Sequence, residues 1–277
     1  MNWRFVADRG THAALAVLFL IISVRHWYSA WTASWLGLDA QIYYRGSAAW
    51  LAGGNPWEAL GYFQGHPAHY SALPTTVVLL APFSLLPEQL FVAGFIAASA
   101  LAAVYIVRKL ELPWYFLAFP PIFQGVQSGN PNVIVLALLL SGRPVLEAFA
   151  PLLKVYAGIP LVLLGRRRSV MWTIAFGAVT LLAFPLWVTY LGHFGEYSSR
   201  LVIEASGGFS ATSLGPVAIV AALVSLLVLW RLDRTSASWL AVPAVWPATQ
   251  FHYSIFAMPL MRSRPWLAAL LAVPYPG

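Results

Sequence analysis

The sequence predicts an all-α, polytopic integral membrane protein, with about ten transmembrane or partly spanning helices and a surface helix in its first outer loop. Three observations carry this. Of 277 residues, 60% are hydrophobic and only 9% are charged, against about a quarter charged in a soluble domain. That is too little charge to solvate a globular surface. Apolar runs recur along the whole chain, and Pro or Gly interrupts many of them. The net charge of +7 comes from basic residues standing singly or in one short cluster. That pattern sets topology and meets lipid headgroups; it forms no stripe suited to nucleic acid. There is no cysteine, which excludes disulfides, thiol catalysis and cysteine-based metal sites.

The first element follows Arg4 and Arg9 and is apolar from Ala13 to Val24. A cleaved signal peptide begins this way. Here the run continues into Trp27, Tyr28, Trp31 and Trp35, which read as an interfacial aromatic belt, and no Ala-x-Ala cut site stands out. An uncleaved helix near 11–30 is expected. Further apolar stretches predict helices near 73–87, 89–107, 113–127, 131–142, 145–165, 169–190, 213–231, 238–257 and 265–275. Several fall short of the ~20 residues a full span needs, so tilted, broken or re-entrant helices are expected. Pro82 and Pro87, Pro120-Pro121 and Gly129-Asn130-Pro131 supply visible breaks. No internal repeat or low-complexity segment is evident.

Orientation follows the basic residues. Arg166-Arg167-Arg168 reads as cytoplasmic, and Arg4, Arg9, Arg231 and Arg234 agree with it. Alternation then places loops 31–72 and 191–212 outside. It also places Arg108 and Lys109 outside, so one short segment is expected not to cross. Among the acidic residues, Asp8, Glu88 and Asp233 are assigned to the cytosol and Glu147 to a helix. Asp39, Glu58, Glu111, Glu196 and Glu204 are left on or near the outer side.

The first outer loop opens with "GLDAQIYYRGSAAWLAGGNPW". Ile42, Tyr43, Ala49 and Trp50 recur at roughly helical spacing, and Gly53 to Pro56 ends the run. An amphipathic surface helix from Asp39 to Leu51 is expected. Asp39 stands at its N-terminal end, where a carboxylate either caps the helix or serves as a general base.

Four other places carry chemistry. Arg45 either snorkels to headgroups or binds phosphate. Lys154 lies in an apolar run twelve residues before Arg166, roughly 18 Å along a straight helix. A lysine at that depth needs a partner, either Glu147 or a phosphate. His252 stands in "ATQFHYSIF" beside Gln250, Tyr253 and Ser254, as a hydrogen-bonded core residue or as a ligand. Asn130 and Asn132 lie at a break within "SGNPNVIVL". Non-helical backbone at membrane depth belongs around a protein-lined cavity. His66 and His69 are three apart, but no third ligand is close in sequence, so metal binding is not expected.

The order of these features resembles the polyprenol-phosphate-mannose-dependent α-mannosyltransferases, glycosyltransferase family 87 of the GT-C superfamily. The resemblance rests on Asp39, Tyr43, "LAGGNPW" (Leu51 to Trp57), "HYSALP" (His69 to Pro74), "PFSLLP" (Pro82 to Pro87), "GNPN" (Gly129 to Asn132), "KVY" before "RRR", and "FHY" near the end. "YSALP" stands in place of the family's Tyr-Pro-Pro, and Asn130 in place of its Gln. The resemblance implies a single GT-C-like transmembrane domain over 1–277, with the catalytic Asp in loop 31–72. It implies an inverting transfer of a sugar, mannose above others, from a polyprenyl-phosphate donor to a glycolipid or cell-envelope glycan. Asp39 would deprotonate the acceptor. Lys154, His252 and Arg45 would bind the donor phosphate, and Tyr43, Tyr70, Asn130, Asn132 and Tyr253 the sugar or acceptor. No metal or other cofactor is implied. The implied setting is a multi-pass cell-membrane protein with its site on the extracytoplasmic side, in contact with lipids and not with nucleic acid. The rival readings are a transporter or flippase for a lipid-linked sugar, or an inactive binder of one.

Overall fold

The computed structural model describes residues 3–32, 36–63, 66–204, 210–247 and 250–274. The chain begins with α1 (Trp3–Thr32), followed by α2 (Leu38–Leu51). A short antiparallel pair, β1 (Ala59–Phe63) and β2 (His66–His69), comes next; Phe63 faces His66 and Ala59 faces His69. The helices then run α3 (Pro74–Leu80), α4 (Glu88–Lys109), α5 (Pro120–Ser128), α6 (Asn132–Leu139), α7 (Pro144–Leu153) and α8 (Gly158–Leu163). After them come α9 (Arg167–Val179), α10 (Phe184–Gly192), α11 (Phe194–Glu204), α12 (Pro216–Leu232), α13 (Arg234–Val245), α14 (Met258–Met261) and α15 (Pro265–Leu271). Short 3₁₀ turns extend α3 over Ala81–Leu85, lead into α8 over Val155–Ala157, and precede α14 over Phe251–Ala257.

Among the described residues, three helical stretches are long and apolar enough to cross a membrane: Arg9–Thr32, Glu88–Lys109 and Arg167–Gly192, the last joining α9 and α10. Their outer faces remain uncovered. Leu101 is 72% exposed, Leu182 88% and Val217, on α12, 84%. A soluble protein does not leave aliphatic surface bare on this scale; hydrocarbon is the solvent that suits it.

The remaining inner helices are short and come in pairs that reverse direction. Pro at the first turn starts α5 and α7, where a missing N–H costs nothing. Gly129 ends α5 in the left-handed conformation, which a residue without Cβ adopts readily. Contacts at the ends sort the helices to two sides. Arg166 Nη1 donates to the Leu139 carbonyl and to Glu147 Oε1, both at 2.6 Å, and Ser169 Oγ donates to Glu147 Oε2 at 2.5 Å. The end of α6 and the starts of α7 and α9 therefore meet. Arg234 Nε donates to the Leu163 carbonyl, bringing in the start of α13. Asp233 caps α13 through the Ser236 hydroxyl and N–H, and Arg264 Nη2 reaches it at 3.2 Å. The Ser236 bonds, with Arg264, hold the Asp233 carboxyl below the usual carboxylate range. Arg262 pairs with Glu111, just past α4. This is the arginine end of the molecule.

Arg108 and Lys109 share the arginine end with the other basic residues, because Pro74–Leu85 stays packed against α2, in keeping with a short segment that does not run to that end. Three expectations are corrected. Glu111 belongs to the arginine end through Arg262, and Glu88 to the opposite end through Arg45 of α2, the reverse of their assignment from alternation. Glu147 is buried and bound by Arg166, so it is not the partner of Lys154. The run 145–165 is not one helix, because the chain turns back at Lys154–Ala157. The distance of Lys154 from Arg166 is thus set by a hairpin about ten residues deep, nearer 15 Å than 18 Å.

Candidate functional site

The site lies where the reversals of α5/α6, α7/α8 and α13/α14 meet the start of α2. Gly37 opens α2 at φ +70° and donates its N–H to the Gln127 carbonyl at 2.9 Å. A Cβ on Gly37 would stand 2.6 Å from Val92 Cγ1, so the entry to α2 is wedged against α4. Asp39, in the first turn, makes no capping bond. It instead accepts from Asn130 Nδ2 at 3.1 Å. Its other oxygen has no hydrogen-bond partner among the described residues. The helix dipole favours the carboxylate here, and one oxygen is left to take a proton.

Asn130 is itself held in place. Its Oδ1 accepts from the Asn132 N–H at 3.0 Å, and Asn132 Oδ1 accepts from the Tyr156 hydroxyl. The left-handed Gly129 allows this loop to sit on α2: a Cβ there would stand 2.7 Å from Ala40 Cβ. The break that the sequence displays as Gly-Asn-Pro is thus the device that aims Asn130 at Asp39.

Lys154 ends α7 with extended backbone. Its Nζ lies 5.3 Å from the centre of the Tyr43 ring, a cation–π distance. Asp39 acts electrostatically on Lys154 and on His252. Tyr43 sits one turn after Asp39 on the same face of α2 and packs edge-on to Tyr70 at 5.4 Å. Gly46 makes room for that ring, since its Cβ would fall 2.7 Å from Tyr70 Cδ2. Tyr253 packs 4.7 Å from Tyr156, and His252 lies beside it on the 3₁₀ turn. The structure therefore gathers Asp39, Tyr43, Tyr70, Asn130, Asn132, Lys154, His252 and Tyr253.

Arg45 is not among them. It lies six residues after Asp39, about 240° round the helix, and its Nε donates to Glu88 Oε1 at 2.9 Å on the face turned to α4. Of the two histidines in the hairpin, the side chain of His66 lies outside the described residues. Among the described residues, no three His, Asp or Glu side chains are grouped to hold a metal ion.

A cavity of about 310 Å³ opens beside this cluster, lined by Lys154, Tyr156, Tyr253, Trp246, Tyr190 and Ser198 among others. That volume is at the small end of ligand sites. Tyr190 and Ser198 belong to the end of α10 and to α11, so the cavity sits opposite the arginine end of the α9–α10 span. Its wall is aromatic with one cation, which suits an amphiphile carrying one anionic group. Asn132 Nδ2 and His252 Nε2, whose side chains touch the lining residues Tyr156 and Tyr253, are buried without a hydrogen-bond partner among the described residues, as are both amide atoms of Gln127 on α5. Such atoms are rare and costly in a finished protein interior.

Tyr156, Gln127, Tyr190 and Trp246 were not singled out from the sequence. Tyr156 carried a signal in "KVY"; the other three are aligned only by the reversals of the chain. Comparison of the chain with protein-family models, with curated proteins and with solved structures returns no match.

Proposed function

We propose that the protein is an inverting, polyprenyl-phosphate-dependent glycosyltransferase of the GT-C type. The carrying observation is that Asp39, held by Asn130, stands one turn before Tyr43 on α2, and that Lys154 lies over the Tyr43 ring and lines an aromatic cavity. A base and a cation on either side of one tyrosine suit displacement of a phosphate leaving group. The acceptor hydroxyl loses its proton to the free oxygen of Asp39 and attacks the anomeric carbon. The bond from that carbon to the phosphate oxygen breaks, and polyprenyl phosphate leaves with the electron pair. Lys154 neutralises its charge from a fixed position, without the reorganisation that water would need. His252, Asn132 and Gln127, with unused hydrogen-bonding atoms, receive the hydroxyls of the sugars. Tyr43, Tyr70 and Tyr253 supply flat apolar walls. Mannose is the first candidate sugar, on the resemblance described above, and a glycolipid or envelope glycan the acceptor.

In this reading the chain is multi-pass and the arginine end faces the cytoplasm. The site then opens towards the extracytoplasmic side, where loop 31–72 and α11 lie. The test is to incubate membranes containing the protein with radiolabelled polyprenyl-phosphate-mannose and to look for a new labelled glycoconjugate. The same membranes carrying Asp39→Asn, which keeps the shape and the bond to Asn130 but not the basicity, are expected to lose at least a hundredfold in turnover. Near-normal turnover in that variant removes Asp39 as the base. Movement of intact donor across the membrane with no transfer identifies a transporter instead.

A further inference from the structure

A second cavity, of about 500 Å³, lies at the arginine end, away from the candidate site. Its walls are Leu161, Val162 and Gly165 at the end of α8, Arg166, Arg167, Val170 and Met171 at the start of α9, and Arg234 at the start of α13. Arg166 spends part of its guanidinium on Glu147 and the Leu139 carbonyl. Arg234 uses Nε on the Leu163 carbonyl and lies 5.4 Å over the Trp230 ring. Arg167 is exposed and makes no ion pair among the described residues. The nearby carboxylates are already committed, Glu147 to Arg166 and Ser169, and Asp233 to Ser236 and Arg264. The pocket thus carries two guanidiniums with no acidic partner among the described residues, together with the N-terminal amides of α9.

The apolar half of the pocket continues outward. Arg167, Val170, Met171 and Ile174 are three, four and seven residues apart and so share one face of α9. Met171 is 68% exposed, Ile174 65% and Val162, across on α8, 61%. A cationic pocket at the foot of a bare aliphatic stripe matches a molecule with an anionic head and a long hydrocarbon tail. A free anion would use only the head of this site.

We propose that this cavity binds an anionic phospholipid: the phosphate lies between Arg167 and Arg234 at the start of α9, and an acyl chain runs along Val162, Met171 and Ile174. The density of arginine marks this end as cytoplasmic, the side on which anionic lipid meets basic residues. The inference does not rest on the proposed transferase chemistry. It is tested on the full chain in detergent by native mass spectrometry, titrating phosphatidylglycerol and phosphatidylcholine of the same chain length. The first phosphatidylglycerol is expected to bind at least tenfold more tightly than phosphatidylcholine. Arg167→Glu is expected to weaken it at least fivefold, as removal and reversal of one basic charge near a lipid phosphate should. Arg168→Glu, also exposed but outside the pocket, is expected to change it less than twofold. Inorganic phosphate at millimolar concentration is expected not to displace the lipid. Equal effects of the two variants mean diffuse attraction and overturn the site. Displacement by phosphate means a soluble-anion site and overturns the lipid assignment. Equal binding of the two lipids overturns both.

Discussion

At the scale of single residues, the question is what each buried charge is for. Glu147 and Arg166 answer it structurally: they tie three helices together, and removing Arg166 would strand the buried Glu147 at a cost of about 3–5 kcal/mol. Lys154 has no such carboxylate bound to it; it has a tyrosine face and the nearby charge of Asp39. With Glu147 committed elsewhere, Lys154→Met strands no acid. The variant is therefore expected to melt at or slightly above the temperature of the parent. If the donor phosphate is what the lysine serves, the variant should bind a polyprenyl-phosphate analogue more weakly by about 2–5 kcal/mol, roughly thirtyfold or more. Thermal melting with and without the analogue reads both quantities. A variant that melts early, yet gains as much from the analogue as the parent does, would show that Lys154 is structural. Asp39 and Arg45 make the complementary point. Both stand on α2, but the helix turns them to different neighbours, one to Asn130 and the other to Glu88. Their angular separation was available in the sequence. What lay beside each face was not.

At the scale of elements, much was legible because the signals are local. Pro74, Pro120, Pro144, Pro216 and Pro265 each open a helix within the first turn, and Gly37, Gly129 and Gly165 take the left-handed conformation at helix boundaries. The helix expected from Asp39 to Leu51 is α2, one residue longer, but it does not lie on the surface: no residue from Leu38 to Trp50 is exposed, and α2 packs against α3 and α4. The hairpin of β1 and β2 was missed because its alternation spans too few residues to register, and α11 was absorbed into a loop because it is short and polar on one face. The reversal at Lys154 was missed for a different reason: Pro151 and Gly158 lie inside an otherwise continuous apolar run, and nothing local says whether such a run kinks or folds back. Gly129 tests how much the breaks matter. Gly129→Ala must hold an Ala in the left-handed region and press a methyl against Ala40. Gly53→Ala, also at positive φ but with nothing near its Cβ, bears only the backbone cost of about 1 kcal/mol. Gly129→Ala is expected to lose about 2–4 kcal/mol, adding an overpacking penalty. It should also lose turnover through the displaced Asn130. Equal melting temperatures and equal turnover in the two variants would mean that the fit of this loop on α2 is not what positions Asp39.

At the scale of the whole molecule, the two ends are chemically unlike, and that asymmetry predicts orientation. Among the described residues, the arginine end gathers Arg108, Lys109, Arg143, Arg166, Arg167, Arg168, Arg231, Arg234, Arg262 and Arg264 beside the acids Glu111, Glu147 and Asp233. The opposite end carries the start of α2, the end of α10 and α11, with Asp39, Glu58, Glu88 and Glu196 beside Arg45 and Arg200. An imbalance of this size on short connections is the signal that retains loops in the cytosol. The chain has no cysteine of its own, so single cysteines report cleanly. Ser199, exposed on α11, and Ser263, exposed between Met261 and Pro265, stand at the two ends. Ser199→Cys is expected to react with a membrane-impermeant thiol reagent in intact cells. Ser263→Cys is expected to react only after the cells are opened. The reverse pattern would place the aromatic cavity on the cytosolic side, where a donor presented at the outer face could not reach it. Labelling of both positions in intact cells would mean that the long apolar helices do not carry the chain across the membrane. Labelling of Ser199→Cys alone would put Asp39 and the mouth of the cavity on the side where the proposed donor and acceptor meet.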